Sequence, residues 1–300
     1  MATILVLNGI PDAGFDPLRR EGHTVILPPT LDRFPREELM ALLPGCDAIV
    51  ATSGVDREMI AAAPRLRHIA NYGAGYDSVD TRAAAEAGIP VTNIPETVTD
   101  PTAELAIALL LAVCRRVGEM DVRLRAEQPE GLFGLGRYMG LSLRGMTLGI
   151  IGAGRIGGRT AQLAQAFGMN VIGYSRHGAD PSVMEPASFE EVITRSDAVS
   201  VHCPLTPETR GLISREVIGR MKKGAVLINT SRGGTVDHDA LCDAIASGHL
   251  FGAGLDVYPD EPHVPERLLT FPQIVMTPHV GSNTEQTRRI MAEACSRQIL

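Results

Sequence analysis

The chain has 300 residues, 44% of them hydrophobic, and a formal net charge of −7. That length allows two domains with substantial cores, and the acidic balance argues against a nucleic-acid partner, which would call for a basic face. Five cysteines (Cys46, Cys114, Cys203, Cys242 and Cys295) form an odd set without a C-x-x-C pair, which suits reduced thiols in a cytoplasmic protein better than a disulfide frame or a zinc site.

The chain enters an apolar strand pattern at 3–7 with no basic leader or cleavage site before it. Short strand patterns follow at 24–27, 48–51, 68–70 and 91–93, with helical stretches such as 36–43 and 81–87 between them. This alternation is that of a parallel α/β unit. One long helix is predicted over 101–126, bridging to a second unit. Its apolar part, 105–114, is too short to span a bilayer and reads as a buried helix. The stretch 127–143 is glycine-rich and aperiodic, an irregular loop. A second α/β series places strands at 147–151, 171–174, 198–202, 225–229, 252–256 and 274–276. An amphipathic helix over 284–300 closes the chain, with Ser282-Asn283 as its cap.

The layout predicts an α/β fold of two Rossmann-like parallel-sheet domains, one flavodoxin-like and one dinucleotide-binding, with a cleft between them. Residues 1–98 with 283–300 make the substrate domain, and 99–282 the dinucleotide domain. Ligands of such sheets lie at the carboxyl ends of the strands.

The most informative motif is Gly152-Ala153-Gly154-Arg155-Ile156-Gly157, a G-x-G-x-x-G string between the strand pattern at 147–151 and a helical pattern at 155–167. There Gly152 permits a tight turn, Gly154 lets the backbone approach a pyrophosphate, and Gly157 lets helix and strand pack closely. Alone the hexapeptide is weak evidence; between a strand and a helix it points to a dinucleotide. The next strand ends in Ser175-Arg176-His177, where an NAD site would carry an acidic residue. A hydroxyl beside a guanidinium suits a ribose 2′-phosphate, so NADPH is the expected cofactor and NADH the alternative.

Three further strand patterns in the second series are each followed by polar residues: Thr230-Ser231-Arg232-Gly233-Gly234, then Asp256 with Asp260-Glu261-Pro262, then Thr277-Pro278-His279-Val280-Gly281. An arginine, a carboxylate and a histidine at the carboxyl ends of neighbouring strands suffice for a carbonyl reductase. The guanidinium holds a substrate carboxylate, the imidazole supplies a proton as hydride arrives, and the carboxylate holds the imidazole. Taken singly, Arg232 also reads as a loop cation, Glu261 as an exposed charge and His279 as a packing histidine; jointly, the catalytic reading is preferred. His202 reads as packed beside the cofactor, Asp77 as a turn former and Asp80 as a helix cap. No set of histidines has metal-ligand spacing.

These stretches, together with Asn71-Tyr72-Gly73-Ala74-Gly75-Tyr76-Asp77-Ser78-Val79-Asp80 and Val201-His202-Cys203-Pro204-Leu205-Thr206-Pro207-Glu208-Thr209, give a chain that resembles the D-isomer-specific 2-hydroxyacid dehydrogenases, in order and over nearly its whole length. The resemblance implies Arg232, Glu261 and His279 as catalytic residues. It implies Gly152, Gly154, Arg155, Ile156, Gly157, Ser175, Arg176, Cys203, Pro204, Thr209, Thr230, Asp256 and Gly281 in the cofactor site. The backbone N–H groups of Ala74 and Gly75 would grip the substrate carboxylate alongside Arg232 and His279. A homodimer is implied as well.

Within that family, a phosphoglycerate dehydrogenase would carry arginine in place of Asn71, a phosphite dehydrogenase lysine in place of Ala74, and a formate dehydrogenase glutamine in place of Glu261. Ser175-Arg176 resembles the NADPH-preferring glyoxylate and hydroxypyruvate reductases. The expected activity is therefore reduction of a small 2-oxo acid to its D-2-hydroxy acid. The alternatives are a dehydrogenase of a larger 2-hydroxy acid, whose side chain Thr52-Ser53-Gly54, Phe133 and Tyr138 would help to accommodate, and a dinucleotide-sensing, corepressor-like binding protein.

Overall fold

A computed structural model describes residues 1–126 and 131–300. The chain folds as two compact units, Met1–Thr99 with Ser282–Leu300, and Asp100–Gly281. Among the described residues no helix is long and apolar enough to cross a membrane. All five cysteines are buried and free.

The first unit holds strands β1 (Thr3–Val6), β2 (Thr24–Ile26), β3 (Ala48–Ala51), β4 (His68–Asn71) and β5 (Val91–Thr92). All pair in parallel, in the order β2-β1-β3-β4-β5, the flavodoxin-like arrangement whose order reverses beside the first strand. Ile4, Val6, Val50 and Ala70 face one apolar layer, and Leu5, Ile49, Ala51 and Ile69 the other, as expected for a sheet covered on both faces. The C-terminal helix, Glu285–Ile299, returns to this unit and lays Met291, Ala292 and Cys295 against the first of these layers. It lies so near the N-terminal segment that a Cβ on Gly14 would stand 2.4 Å from the Ala292 methyl. The Ser296 hydroxyl donates to the Gly14 carbonyl at 2.9 Å. The helix cap is Thr284, whose hydroxyl accepts the Thr287 N–H, and not the predicted Ser282-Asn283: the residue that closes the first turn lies one position further on. Asp80 caps Thr81–Glu86 as expected.

The second unit carries β6 (Thr147–Ile151), β7 (Asn170–Tyr174), β8 (Glu185–Pro186), β9 (Ala198–Val201), β10 (Ala225–Asn229), β11 (Leu250–Leu255) and β12 (Ile274–Met276). The sheet is parallel throughout, ordered β12-β11-β10-β9-β6-β7-β8. This is the dinucleotide-fold order with one added strand, and its switch point lies between β6 and β9. The central strands β9 and β10 are buried along their whole length. The unpredicted β8 is an exposed two-residue edge strand; its proline is tolerated there because an edge need not donate on both sides.

The predicted 101–126 helix is two helices, Thr99–Cys114 and Val117–Ala126. Arg116 turns into the left-handed region (φ 54°) and pairs with the buried Glu119 through two hydrogen bonds of 2.8 and 2.9 Å. The Leu141 N–H caps the Cys114 carbonyl at 2.8 Å. A tertiary contact and an ion pair thus end a helix that local periodicity would continue. Of the stretch read as an irregular loop, residues 127–130 lie outside the described residues. The remainder, 131–143, contains no strand. Its Tyr138 ring lies beneath the guanidinium groups of Arg116 and Arg123, at 5.6 and 5.3 Å.

Candidate active site

Every candidate residue of the second unit follows the carboxyl end of a strand. After β6 the chain turns at Gly152, whose φ of +97° lies in the region that favours glycine. A Cβ there would stand 2.5 Å from the Cys203 nitrogen that follows β9, and one on Gly157 would stand 2.3 Å from the Gly152 carbonyl oxygen. Both glycines are required by the protein's own packing. Gly154 differs: a Cβ there would meet nothing within 4 Å. It is the N-cap of the helix Arg155–Ala166 and makes no side-chain cap bond to it. The N–H groups and dipole of a helix N-terminus favour an anion.

The loop after β9 is closed by Thr209, whose hydroxyl accepts the Thr206 N–H at 2.7 Å and donates to the Pro204 carbonyl at 2.6 Å. Cys203 is buried, which pushes its thiol up to about 11. Half-buried His202 bonds Ser200 Oγ through Nε2 at 2.9 Å, and burial pushes its imidazole down to about 4. Its backbone borders the glycine turn, the His202 carbonyl carbon lying 2.7 Å from where a Cβ on Gly152 would stand. After β7, Ser175 is half-buried and Arg176 exposed. The Glu208 carboxyl is held below its ordinary value first by the Thr206 hydroxyl and, among lesser causes, by the charge of Arg176. Arg176 therefore acts at the same end of the sheet as the loop after β9.

Arg232, Glu261 and His279 come from the loops after β10, β11 and β12. Asn229, the buried last residue of β10, shapes the first loop: its amide donates to the Arg232 carbonyl at 3.0 Å, and its Oδ1 accepts the Ser231 N–H at 3.0 Å. Gly233 lets this loop meet the next, since a Cβ would stand 2.0 Å from the Tyr258 carbonyl carbon. Tyr258 in turn joins the second loop to the third. Its N–H donates to Glu261 Oε1 at 3.0 Å and its hydroxyl to the Thr277 carbonyl at 3.0 Å. The other oxygen of Glu261, Oε2, bonds His279 Nδ1 at 2.6 Å. Burial would raise the Glu261 pKa, but the hydrogen bonds from His279 and Tyr258, with the charge of Arg232, hold it below its ordinary value. With Nδ1 engaged, His279 keeps Nε2 for another partner, and half of its side chain is exposed.

Asp256 is buried beneath this turn. Oδ1 accepts the Thr277 hydroxyl at 2.6 Å and the Val280 N–H at 2.8 Å, and Oδ2 accepts the Gly281 N–H at 2.9 Å. Its backbone carbonyl takes the His279 N–H at 2.9 Å. His279, at φ 52°, is one of few non-glycine residues in the left-handed region, and this set of bonds holds it there. Burial raises the Asp256 carboxyl above its ordinary value despite those donors.

Tyr258 and Asn229 carry none of the chemistry and drew no attention in the sequence. Only their place at the ends of strands could have marked them. Ala74 and Gly75 lie in the first unit, in the loop after β4.

The family model described as "D-isomer specific 2-hydroxyacid dehydrogenase, NAD binding domain" matches residues 107–281. The chain belongs to the D-isomer-specific 2-hydroxyacid dehydrogenases. A glyoxylate reductase of Thermococcus litoralis is 42% identical over 276 residues, 89% of this chain and 83% of its own length. A D-3-phosphoglycerate dehydrogenase of Mycobacterium leprae is 40% identical over 84% of this chain and 48% of its own length. Among solved structures, an NADPH-dependent glyoxylate/hydroxypyruvate reductase from Sinorhizobium meliloti, in complex with NADP and malonate, is 33% identical with a TM-score of 0.87. That match covers 99% of this chain and 92% of the other.

As a 2-hydroxyacid dehydrogenase the chain is an NAD(P)-dependent oxidoreductase, and its glycine turn fits such a cofactor. Two glycines are fixed by internal packing, whereas the third leaves open space at a helix N-terminus, the kind of site that suits a pyrophosphate.

Proposed function

We propose that this 2-hydroxyacid dehydrogenase reduces small 2-oxo acids, glyoxylate and hydroxypyruvate foremost, with NADPH as the preferred reductant. The observation that carries the reading is the 2.6 Å bond between Glu261 and His279, with Arg232 bearing electrostatically on the same carboxylate.

A nicotinamide cofactor held at the Gly152–Gly157 turn would supply the hydride for the carbonyl carbon. Arg232 binds the substrate carboxylate and polarises the neighbouring carbonyl, with the N–H groups of Ala74 and Gly75 as further donors to that carboxylate. His279 delivers a proton from Nε2 to the carbonyl oxygen, completing the hydroxyl. Glu261 fixes the ring orientation and stabilises the charged imidazole between turnovers.

Ser175 and Arg176 support the NADPH preference, since a guanidinium pairs with a 2′-phosphate through charge-assisted bonds. The names of the Thermococcus and Sinorhizobium relatives support glyoxylate and hydroxypyruvate. Asn71 favours them over a phosphorylated acid because it leaves no extra cation at that position. Exposed apolar side chains on and after the Val117–Ala126 helix (Val117, Val122, Leu124, Phe133, Leu135 and Met139) support the homodimer.

Oxidation of NADPH and NADH by the purified protein, with glyoxylate, hydroxypyruvate, pyruvate and a bulky 2-oxo acid in parallel, tests the reading. Fast NADPH-linked turnover of the two small acids is expected. Preference for the bulky acid or for NADH would overturn the corresponding half of the proposal. Tight dinucleotide binding without turnover of any acid would favour the sensor alternative.

A further inference from the structure

The loop after β4 carries an unusual concentration of side-chain amides bonded to its carbonyls. Asn71, the buried last residue of β4, donates through Nδ2 to the carbonyls of both Gly73 and Gly75, at 3.0 and 2.9 Å. Asn93, just past β5, donates through Nδ2 to the carbonyl between them, that of Ala74, at 2.7 Å. Both amide orientations follow from chemistry, because a carbonyl neighbour can only accept. The Gly73 carbonyl also takes the Ile94 N–H at 3.1 Å. Three successive peptide carbonyls are thereby drawn towards the body of the first unit. The N–H groups of Ala74 and Gly75 have no hydrogen-bond partner among the described residues, and Gly75 lies at the surface.

We infer that Asn71 and Asn93 are positioning residues, which fix the peptide planes of the Gly73-Ala74-Gly75 loop so that the Ala74 and Gly75 N–H groups form a preset seat for the substrate carboxylate. The inference rests on the reading that this loop receives that carboxylate. A short loop with free carbonyls would sample peptide flips that present an oxygen, which repels an anion, in place of a donor. Two amides remove that freedom before substrate arrives, so the ordering cost falls on folding and not on binding. Asn93 is itself braced. Gln298 on the C-terminal helix donates to the Asn93 carbonyl at 2.8 Å and accepts the Thr92 hydroxyl at 2.7 Å, and that hydroxyl meets His68 Nε2 at 2.9 Å. The C-terminal helix thus reaches the loop through a chain of hydrogen bonds within one unit.

The test uses Asn71→Ser and Asn93→Ala in the full chain, with three readouts: the KM-against-kcat split for glyoxylate, the Kd of oxalate on the NADPH-loaded enzyme, and the Kd of NADPH. Each variant is expected to raise the glyoxylate KM and the oxalate Kd by about tenfold, equivalent to about 1.4 kcal/mol, within the range for a lost hydrogen bond. NADPH affinity should stay within about twofold and kcat within about threefold, a pattern that general loosening of the fold would not give. If Asn71→Ser fails to fold, Asn93→Ala decides alone. Ala74→Asp separates the two layers of the argument by placing a negative charge at the seat. A raised KM in Ala74→Asp with unchanged KM in both asparagine variants would overturn the positioning role and leave the loop reading standing. An unchanged KM in Ala74→Asp would remove the loop from the substrate site, and the inference with it.

Discussion

His279 Nδ1 and Glu261 Oε2 lie 2.6 Å apart, although they come from the loops after different strands. Each is fixed independently: Glu261 by the Tyr258 N–H on its second oxygen, His279 by its own N–H on the Asp256 carbonyl. The pair is therefore set in geometry before any substrate binds.

Glu261→Gln keeps an acceptor for the Tyr258 N–H but removes the charge opposite the imidazole. It should lower kcat by about 10- to 100-fold with a smaller change in KM, read by steady-state kinetics. The folded-state pKa of Glu261 is depressed. The stability it contributes is thus fully present above the ordinary glutamate pKa of about 4.3 and lost as pH falls through its lower folded value. Acid melting curves of Glu261→Gln should be less steep below that pH; a curve identical to that of the parent protein would contradict the depressed pKa.

Arg176→Ala should weaken NADPH by about 10- to 100-fold and NADH by less than about twofold, because a charge-assisted pair with a 2′-phosphate is lost in one case only. Titration of the two cofactors by fluorescence measures both. Equal losses would leave Arg176 without a role in cofactor choice.

Gly233→Ala would drive a Cβ to within 2.0 Å of the Tyr258 backbone. The two loops must then separate, at a cost of roughly 1–3 kcal/mol and several degrees in Tm. Arg232 moves with its loop, so the KM of the 2-oxo acid should rise as well. A variant that melts and binds like the parent would show that the contact between the loops does not position the arginine.

His202 supplies a pH signature away from the dyad. Its folded pKa is pushed down to about 4, whereas the unfolded chain takes up the proton near 6.5. Between those values the unfolded state holds more protons, so stability falls as pH drops through the window, by up to about 1.4 kcal/mol per unit. Denaturant melts between pH 4 and 6.5 should show this slope in the parent and a shallower one in His202→Gln. An equal slope in both would assign it to other groups.

Much of this architecture is legible in the chain because buried parallel strands leave apolar runs and glycine turns leave their spacing. The runs at Thr147–Ile151, Ala225–Asn229 and Ile274–Met276 coincide with strands. Gly157 owes its identity to a contact five residues back, with the Gly152 carbonyl, and Gly152 to one with Cys203 after the neighbouring strand β9. Long-range partners are less legible. The break at Arg116 combines a local pair with Glu119, which helical periodicity does not reveal, and a distant bond from the Leu141 N–H to the Cys114 carbonyl. Glu185–Pro186 is too short and too exposed for periodicity to show it. The positions of Arg232, Glu261 and His279 in the chain suggested a common site, whereas the parts that align them (Asn229, Tyr258 and the buried carboxylate of Asp256) are ordinary residues until the loops are folded together.

The central claim is that His279, oriented by Glu261, gives the proton that accompanies hydride transfer. Turnover of glyoxylate by His279→Ala, measured together with its NADPH affinity, tests it most directly. A loss of roughly 10²–10⁴ in kcat with cofactor binding retained is expected. A variant that turns over like the parent would remove His279 from the chemistry and require another proton donor.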